Sequence, residues 1–376
     1  MSLDPPSEAD TEGGNRVTLA DPSLGERERK RAGQVLESGA LADGAEVRAF
    51  ESEFAEYCDT SRGVATANGT AALHAALDAL DIGPGDTVVT TPLSFVATAN
   101  AVRFVGAEPV FADVDPVTYN IDPEAVEAVI RDRGGVDALL VVHLYGLPAD
   151  MGPLVDIADS HGIPLIEDAA QAHGATYNGK RVGSFGDAAT FSFYPTKTMT
   201  TGEGGMVVTD RDDVATRASR FVNHGRGEDG AHVDVGYNYR MTNVAAAIGR
   251  VQLERLPSYT RRRQRHAAEL TDALAETGFT PPTEPDDRTH VYHQYTIRCK
   301  NRESVREVLD EFDVDSGVYY PSAIHQEPAY EGSDPDAPAA ERAAEEVLSL
   351  PIHPGLSDSD LRTVGLALEY ATRYAP

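Results

Sequence analysis

The chain has 376 residues, 41% of them hydrophobic, with 61 acidic against 32 basic residues and a formal net charge of −29. That length and apolar content predict a folded globular protein with room for two domains and exclude a disordered one. The negative field excludes nucleic acid and anionic membranes as partners, and no apolar run approaches the about 20 residues that span a bilayer.

Residues 1–16 are acidic and contain Pro and Gly. They lack the basic-then-apolar pattern of a signal peptide, and they read as a disordered lead-in to a cytoplasmic enzyme. A large domain is expected over residues 17–260 and a smaller one over 261–376. From about Val64 to Phe221 short apolar runs alternate with helical patterns. Thr87–Thr91 reads as a strand, followed by a helix from Ser94 to Gly106, and Pro109–Asp113 is the next strand. Asp122-Pro123 is a capped helix start with proline at the first helical position. Ala138–Leu144 is a buried strand, a helix follows near Leu154–His161, and Ile163–Glu167 is another strand. Repeated βα units predict an α/β fold, a mostly parallel sheet covered by helices, with ligands at the carboxyl ends of its strands.

A long helix is expected from Thr242, bent or broken at Pro257, with Arg261–Arg263 on its solvated face. Beyond it the pattern changes to a smaller α+β C-terminal domain. His293–Arg298 and Val318–Tyr320 read as strands, Glu303–Phe312 and Ser357–Tyr374 as helices, and the acidic, Pro-rich stretch 326–340 as a mobile loop. Cys58 and Cys299 are the only cysteines and match no metal or redox spacing, so two inert thiols in a reducing compartment are expected. Arginine far outnumbers lysine, and the acidic excess resembles that of a salt-adapted protein whose self-repulsion counterions screen.

Only four lysines remain in the chain, and Lys197 lies in a loop of Ser, Thr and Gly just after an apolar run, Phe191-Ser-Phe-Tyr-Pro-Thr-Lys197. A desolvated lysine can form a Schiff base with an aldehyde and can act as a base. Gly69 and Thr70 open a helix over Ala71–Leu80, where free N–H groups and a hydroxyl suit a phosphate. Ser192, five residues before Lys197, offers a second hydroxyl, and Gly202, Gly204 and Gly205 allow tight turns after it. Asp168, at a strand mouth, can pair with a protonated pyridine nitrogen, and Gln171 can reach a ring oxygen. Phe95, past another strand, can stack on a flat ring. Taken singly these are also an ordinary helix cap, a capping aspartate and a core aromatic. Together they are the parts list for pyridoxal 5′-phosphate (PLP).

On these motifs the chain resembles the DegT/StrS-type nucleotide-sugar aminotransferases, within the fold type I of PLP-dependent transferases. The likeness runs from about Val17 to the end. It also takes in Glu37-Ser-Gly39, Asn223-His-Gly225, Gly236-Tyr-Asn-Tyr-Arg-Met241 and Leu350-Pro-Ile-His353. The resemblance implies that Lys197 carries the cofactor, that Asp168 and Gln171 meet its ring nitrogen and ring hydroxyl, and that Gly69, Thr70 and Ser192 hold its phosphate. It implies that Asn238 crosses a homodimer interface to the neighbouring site, and that His325, with Tyr320 five residues before it, touches the substrate. The implied reaction moves an amino group from an amino acid, L-glutamate, to a keto-sugar on a nucleotide carrier. Rival readings are a PLP-dependent sugar dehydratase, a type in which histidine replaces the lysine, and a PLP-binding regulatory protein without turnover. Tyr194 and Asn243 depart from the family pattern, standing where histidine and an acidic residue are common.

Overall fold

A computed structural model describes residues 16–372. The expected disordered lead-in lies outside the described residues except for Arg16. That residue is tied down, with Nε 2.5 Å from Asp315 and Nη2 2.6 Å from Asp310.

The centre is a seven-stranded sheet of β1 (Arg62–Thr66), β2 (Thr87–Thr90), β3 (Glu108–Phe111), β4 (Ala138–Val142), β5 (Leu165–Asp168), β6 (Ala188–Ser192) and β7 (Gly205–Thr209). Its spatial order is β1-β7-β6-β5-β4-β2-β3. Pairings from β3 through β2, β4 and β5 to β6 are parallel, and β7 runs antiparallel to both of its neighbours. Helices cover the two faces: α1 (Glu26–Ser38), α2 (Ala45–Tyr57), α3 (Gly69–Ala79), α4 (Ala97–Phe104), α5 (Pro123–Arg133), α6 (Met151–His161), α7 (Asp212–Val222) and the first half of α8 (Asn243–Leu274). The strands are buried on both faces, as β4 shows with five fully covered residues, Ala138–Val142.

Past α8 lie β8 (Tyr295–Arg298), α9 (Arg302–Glu311), α10 (Pro338–Glu346), β9 (Val347–Leu350) and α11 (Asp358–Ala371). β8 and β9 pair antiparallel, and a separate core of Leu270, Tyr295, Ile297, Leu309, Leu350 and Leu368 packs beneath them.

Four local expectations are corrected here. Helix α8 is continuous for 32 residues through Pro257, which does not break it. Pro257 sits on the exposed face, where a missing N–H is tolerated and a helix can bow. Arg263 is not solvated but buried, its Nη1 donating to the Tyr292 carbonyl at 3.0 Å and the Ile352 carbonyl at 2.5 Å. The stretch 326–340 is largely exposed but anchored: Tyr330 is buried with its hydroxyl on Asn100, and the Ala339 and Ala340 N–H groups, at the start of α10, bond the Asp113 carboxylate at 3.0 and 2.9 Å. Val318–Tyr320 is irregular rather than a strand. Asn243 uses both ends of its amide, accepting from the Glu46 and Val47 N–H groups that open α2 and donating to the Ala40 carbonyl. An acidic residue could supply only the first half of that.

Candidate active site

The carboxyl ends of β1, β5 and β6 open on one cavity of about 940 Å³. Asn68 caps α3, its side chain taking the Ala71 N–H at 2.8 Å, and no bond is seen to the N–H of Gly69 or Thr70 among the described residues. Gly69 is required by proximity, since a Cβ there would lie 2.7 Å from the Ser192 Cβ. The glycine lets the end of β6 close against the helix start. The result is a concave corner of two amides and the hydroxyls of Thr70 and Ser192, which suits a phosphate.

Asp168 ends β5 and faces the cavity, while its neighbour Glu167 is turned the other way by strand alternation. Glu167 is fully buried. Burial opposes its ionisation, but His143 at 3.0 Å and the N–H groups of Gly183, Phe185 and Gly186 outweigh that and hold its pKa below the usual range. It organises the 183–186 turn and takes no part in the cavity. Asp168 accepts from Thr98 Oγ1 at 2.8 Å and from the Ala170 N–H at 3.2 Å. Burial raises its pKa, and these two bonds and the Lys197 charge pull the other way. Thr98 in turn lies 2.9 Å from Ser94 Oγ, so a buried hydroxyl chain backs the carboxylate.

Lys197 lines the same cavity. Crowding by protein lowers its ammonium to about 8, with Asp168 opposing the drop. Gln171 accepts the Tyr145 N–H through its Oε1 at 2.8 Å, which leaves its NH₂ group to donate to the Tyr320 hydroxyl at 3.3 Å. Phe95 stands exposed at the rim, its ring 6.1 Å from that of Tyr320.

The structure thus brings together Gly69, Thr70, Phe95, Asp168, Gln171, Ser192, Lys197 and Tyr320. It does not bring two others. Asn238 lies on an exposed hairpin, bridged to Asn223 and away from the cavity of its own chain. His325 is buried and is not among the residues lining the cavity, with Nε2 3.0 Å from Glu341 and its ring beside Phe111. Sequence reasoning missed Thr98 and His293. His293 lines the cavity from the C-terminal side with Nδ1 sealed and unpartnered, and burial reinforced by Lys197 holds its ring neutral. Thr98 could have been found one helical turn after Ser94; His293 carried no signal beyond its place before a strand.

Residues 22–369 match the DegT/DnrJ/EryC1/StrS aminotransferase family. The chain belongs to this family. Among relatives, the GDP-perosamine synthase of Caulobacter vibrioides is 40% identical over 94% of this chain and 98% of its own. A pleiotropic regulatory protein of Geobacillus stearothermophilus is 42% identical over 88% and 90%. The solved structure of DesV from S. venezuelae, in complex with a ketimine intermediate, superposes with a TM-score of 0.92 at 38% identity, covering 96% of this chain and all of that one. DegT/StrS aminotransferases use PLP, and the residues here fit it. The Gly69–Ser192 corner suits its phosphate, Asp168 its ring nitrogen, Gln171 its ring hydroxyl, Phe95 a face of its ring and Lys197 its aldehyde.

Proposed function

We propose that this aminotransferase moves the amino group of L-glutamate to a keto-sugar carried on a nucleoside diphosphate, in the cytoplasm, as a homodimer with shared sites. The observation that carries the reading is the convergence of Lys197, Asp168 and the Gly69–Ser192 corner on one cavity large enough for cofactor and sugar together. The nucleotide-sugar relatives support the substrate class, the exposed Asn238 hairpin supports the dimer, and two buried free cysteines suit a reducing compartment.

PLP, when bound, supplies an aldehyde that accepts an amino group and a ring that accepts an electron pair. Asp168, backed by Thr98, would hold a proton on the ring nitrogen through its carboxylate. Lys197, whose ammonium is lowered to about 8, becomes a neutral amine at mildly basic pH, well below an ordinary lysine. Its Nζ would take the proton from the α-carbon of the amino donor and deliver it to the former aldehyde carbon of the cofactor, and would move a proton in the opposite direction when the keto-sugar is bound. His293 stays neutral beside it, which avoids a second cation in the cavity. Phe95, Tyr194 and Tyr320 line the cavity and present apolar ring faces, the two tyrosines with hydroxyl edges, to a sugar ring.

Holoenzyme mixed with glutamate alone should lose its visible cofactor band as the amino group is taken up. Lys197→Ala should lose that half-reaction and all transfer to dTDP-, UDP- or GDP-linked keto-sugars. Unchanged turnover in the variant would overturn the assignment. A PLP-binding regulator without turnover is the second reading, motivated by the Geobacillus relative; it predicts no half-reaction in the wild-type protein.

A further inference from the structure

The C-terminal wall of the cavity is made by His293, Gln294, Val318, Tyr319 and Tyr320. No carboxylate stands on it, although the chain carries a net charge of −29. The two acids that line the cavity, Asp168 and Glu203, belong to the large-domain side with Lys197. His293 and Gln294 are 6% and 8% exposed, and neither side chain has a hydrogen bond among the described residues. Buried polar side chains are nearly always paired, because an unpaired one is costly to bury. Of the other well-buried polar residues that line the cavity, Ser94, Thr98, Asp168 and Gln171 are all bonded, and His74 is enclosed by the rings of Phe104, Phe221 and Tyr237. His173 is unpaired too, but both of its ring nitrogens are sealed and it does not line the cavity.

The segment that carries the pair is pinned on both sides. Arg263 Nη1 donates to the Tyr292 carbonyl at 3.0 Å, and the Gln294 N–H donates to the Tyr145 carbonyl at 3.1 Å. The His293 ring can therefore be assigned a tautomer. Its Nδ1 is sealed without a partner, and an orphaned buried N–H is rarer than an orphaned lone pair. The proton belongs on Nε2, which is not sealed and is the ring nitrogen a cavity ligand can meet. Burial, with the charges of Lys197 and Arg263, keeps the ring neutral, so it offers one N–H and no net charge.

Arg263 gives this wall its sign. It is buried, bonds only to carbonyl oxygens, and has no carboxylate partner among the described residues. Burial lowers its pKa to about 10, so it remains a cation at neutral pH. A buried, uncompensated cation behind an acid-free wall favours an anion in front of it. Two adjacent N–H donors, an imidazole and a carboxamide, match the two oxygens of a carboxylate. Lys197 works at the α-carbon of the donor, and the α-carboxylate is bonded to that carbon, so it has to lie on a wall within reach of the lysine. A keto-sugar must later use the same space. Neutral donors can then turn to its hydroxyls, whereas an arginine in their place would be left as a bare cation.

We propose that the His293 Nε2–H and the Gln294 carboxamide form the subsite for the α-carboxylate of the amino donor, with Arg263 as the positioning residue behind them. The inference rests on the amino-acid donor reading and deepens it.

Two measurements test it. Holoenzyme is titrated with L-glutamate and with L-isoglutamine, whose α-carboxylate is an amide, and the loss of the visible cofactor band is followed. In the wild type the amide should need a roughly 10- to 100-fold higher concentration for half-saturation, the loss of charge-assisted contacts. His293→Leu should weaken glutamate by a similar factor and leave isoglutamine nearly unchanged, so that the two converge, while the saturating rate moves far less. Gln294→Leu should act in the same direction. His293→Gln, whose Nε2 reaches the place of the imidazole Nε2, should recover part of the loss. His293→Asn, whose amide nitrogen matches the sealed Nδ1, should not, and this pair decides the matter if the leucine variant fails to fold. Calorimetric titration of the holoenzyme with glutarate reads the same subsite without turnover, and its affinity should fall in both leucine variants. Variants that lose glutamate and isoglutamine equally overturn the proposal, as does a loss confined to UDP or GDP affinity. Wild-type protein that takes no amino group from glutamate sinks the donor reading instead. Glutarate affinity indifferent to His293 and Gln294 overturns the subsite in that case too.

Discussion

Thr98→Val is the sharpest probe of how the chain holds its cofactor. The Thr98 hydroxyl is 1% exposed, lies 2.8 Å from Asp168 Oδ2 and is itself 2.9 Å from Ser94 Oγ. Valine keeps the shape and removes the donor. A hydrogen bond to a buried carboxylate is worth about 1.5–3 kcal/mol, so its loss favours the neutral carboxyl at Asp168, whose pKa burial already raises. A neutral carboxyl no longer holds a proton on the pyridine nitrogen. The variant should bind PLP roughly 10- to 150-fold more weakly, and its cofactor absorbance should titrate at higher pH than that of the wild type. Thr98→Ser should restore both. The assay is equilibrium dialysis of PLP from the holoenzyme, with absorbance spectra from pH 5 to 9 and a melting curve as control. A Thr98→Val protein with weakened stability but unchanged cofactor affinity and spectrum would refute the reasoning and leave Thr98 a packing residue.

Gly69→Ala should cost cofactor affinity at least tenfold, because the added Cβ meets the Ser192 Cβ at 2.7 Å and opens the phosphate corner; dialysis against PLP and against pyridoxal separates a phosphate effect from general damage. In the apoenzyme, reattachment of PLP should rise with pH through a midpoint near 8, where the Lys197 amine loses its proton. The sign follows from the lowered folded value: above about 8 the unfolded chain binds the extra proton, so apoenzyme stability gained from this group should increase with pH until the unfolded lysine also titrates. A reattachment midpoint above 10 would show Lys197 solvated as on a free surface.

Much of the sheet was legible in the sequence because parallel strands buried on both faces carry unbroken apolar runs, as Ala138–Val142 does. Cofactor residues were legible for a related reason: Asp168, Ser192 and Gly69 stand at strand ends or a helix start, where periodicity stops and small or polar residues begin. What escaped depends on packing between distant segments. Pro257 reads locally as a break, yet its exposed position lets α8 continue. Arg263 reads as solvated, yet two carbonyls about 30 and 90 residues away claim its guanidinium. The 326–340 stretch reads as loose, yet the Asp113 carboxylate captures the first turn of α10. His325 is drawn away from the cavity by Glu341, a contact no spacing rule announces.

The unbroken α8 has a mechanical meaning. Thirty-two helical residues make a rod of about 48 Å, and its N-terminal half packs on the sheet while its C-terminal half enters the core beneath β8. The wall bearing Lys197 and Asp168 and the wall bearing His293 and Tyr320 are therefore tied to one unbroken helix, with Pro257 midway along it. A change of preferred sugar can then be made by exchanging side chains on the far wall, while the cofactor corner on the near wall stays untouched.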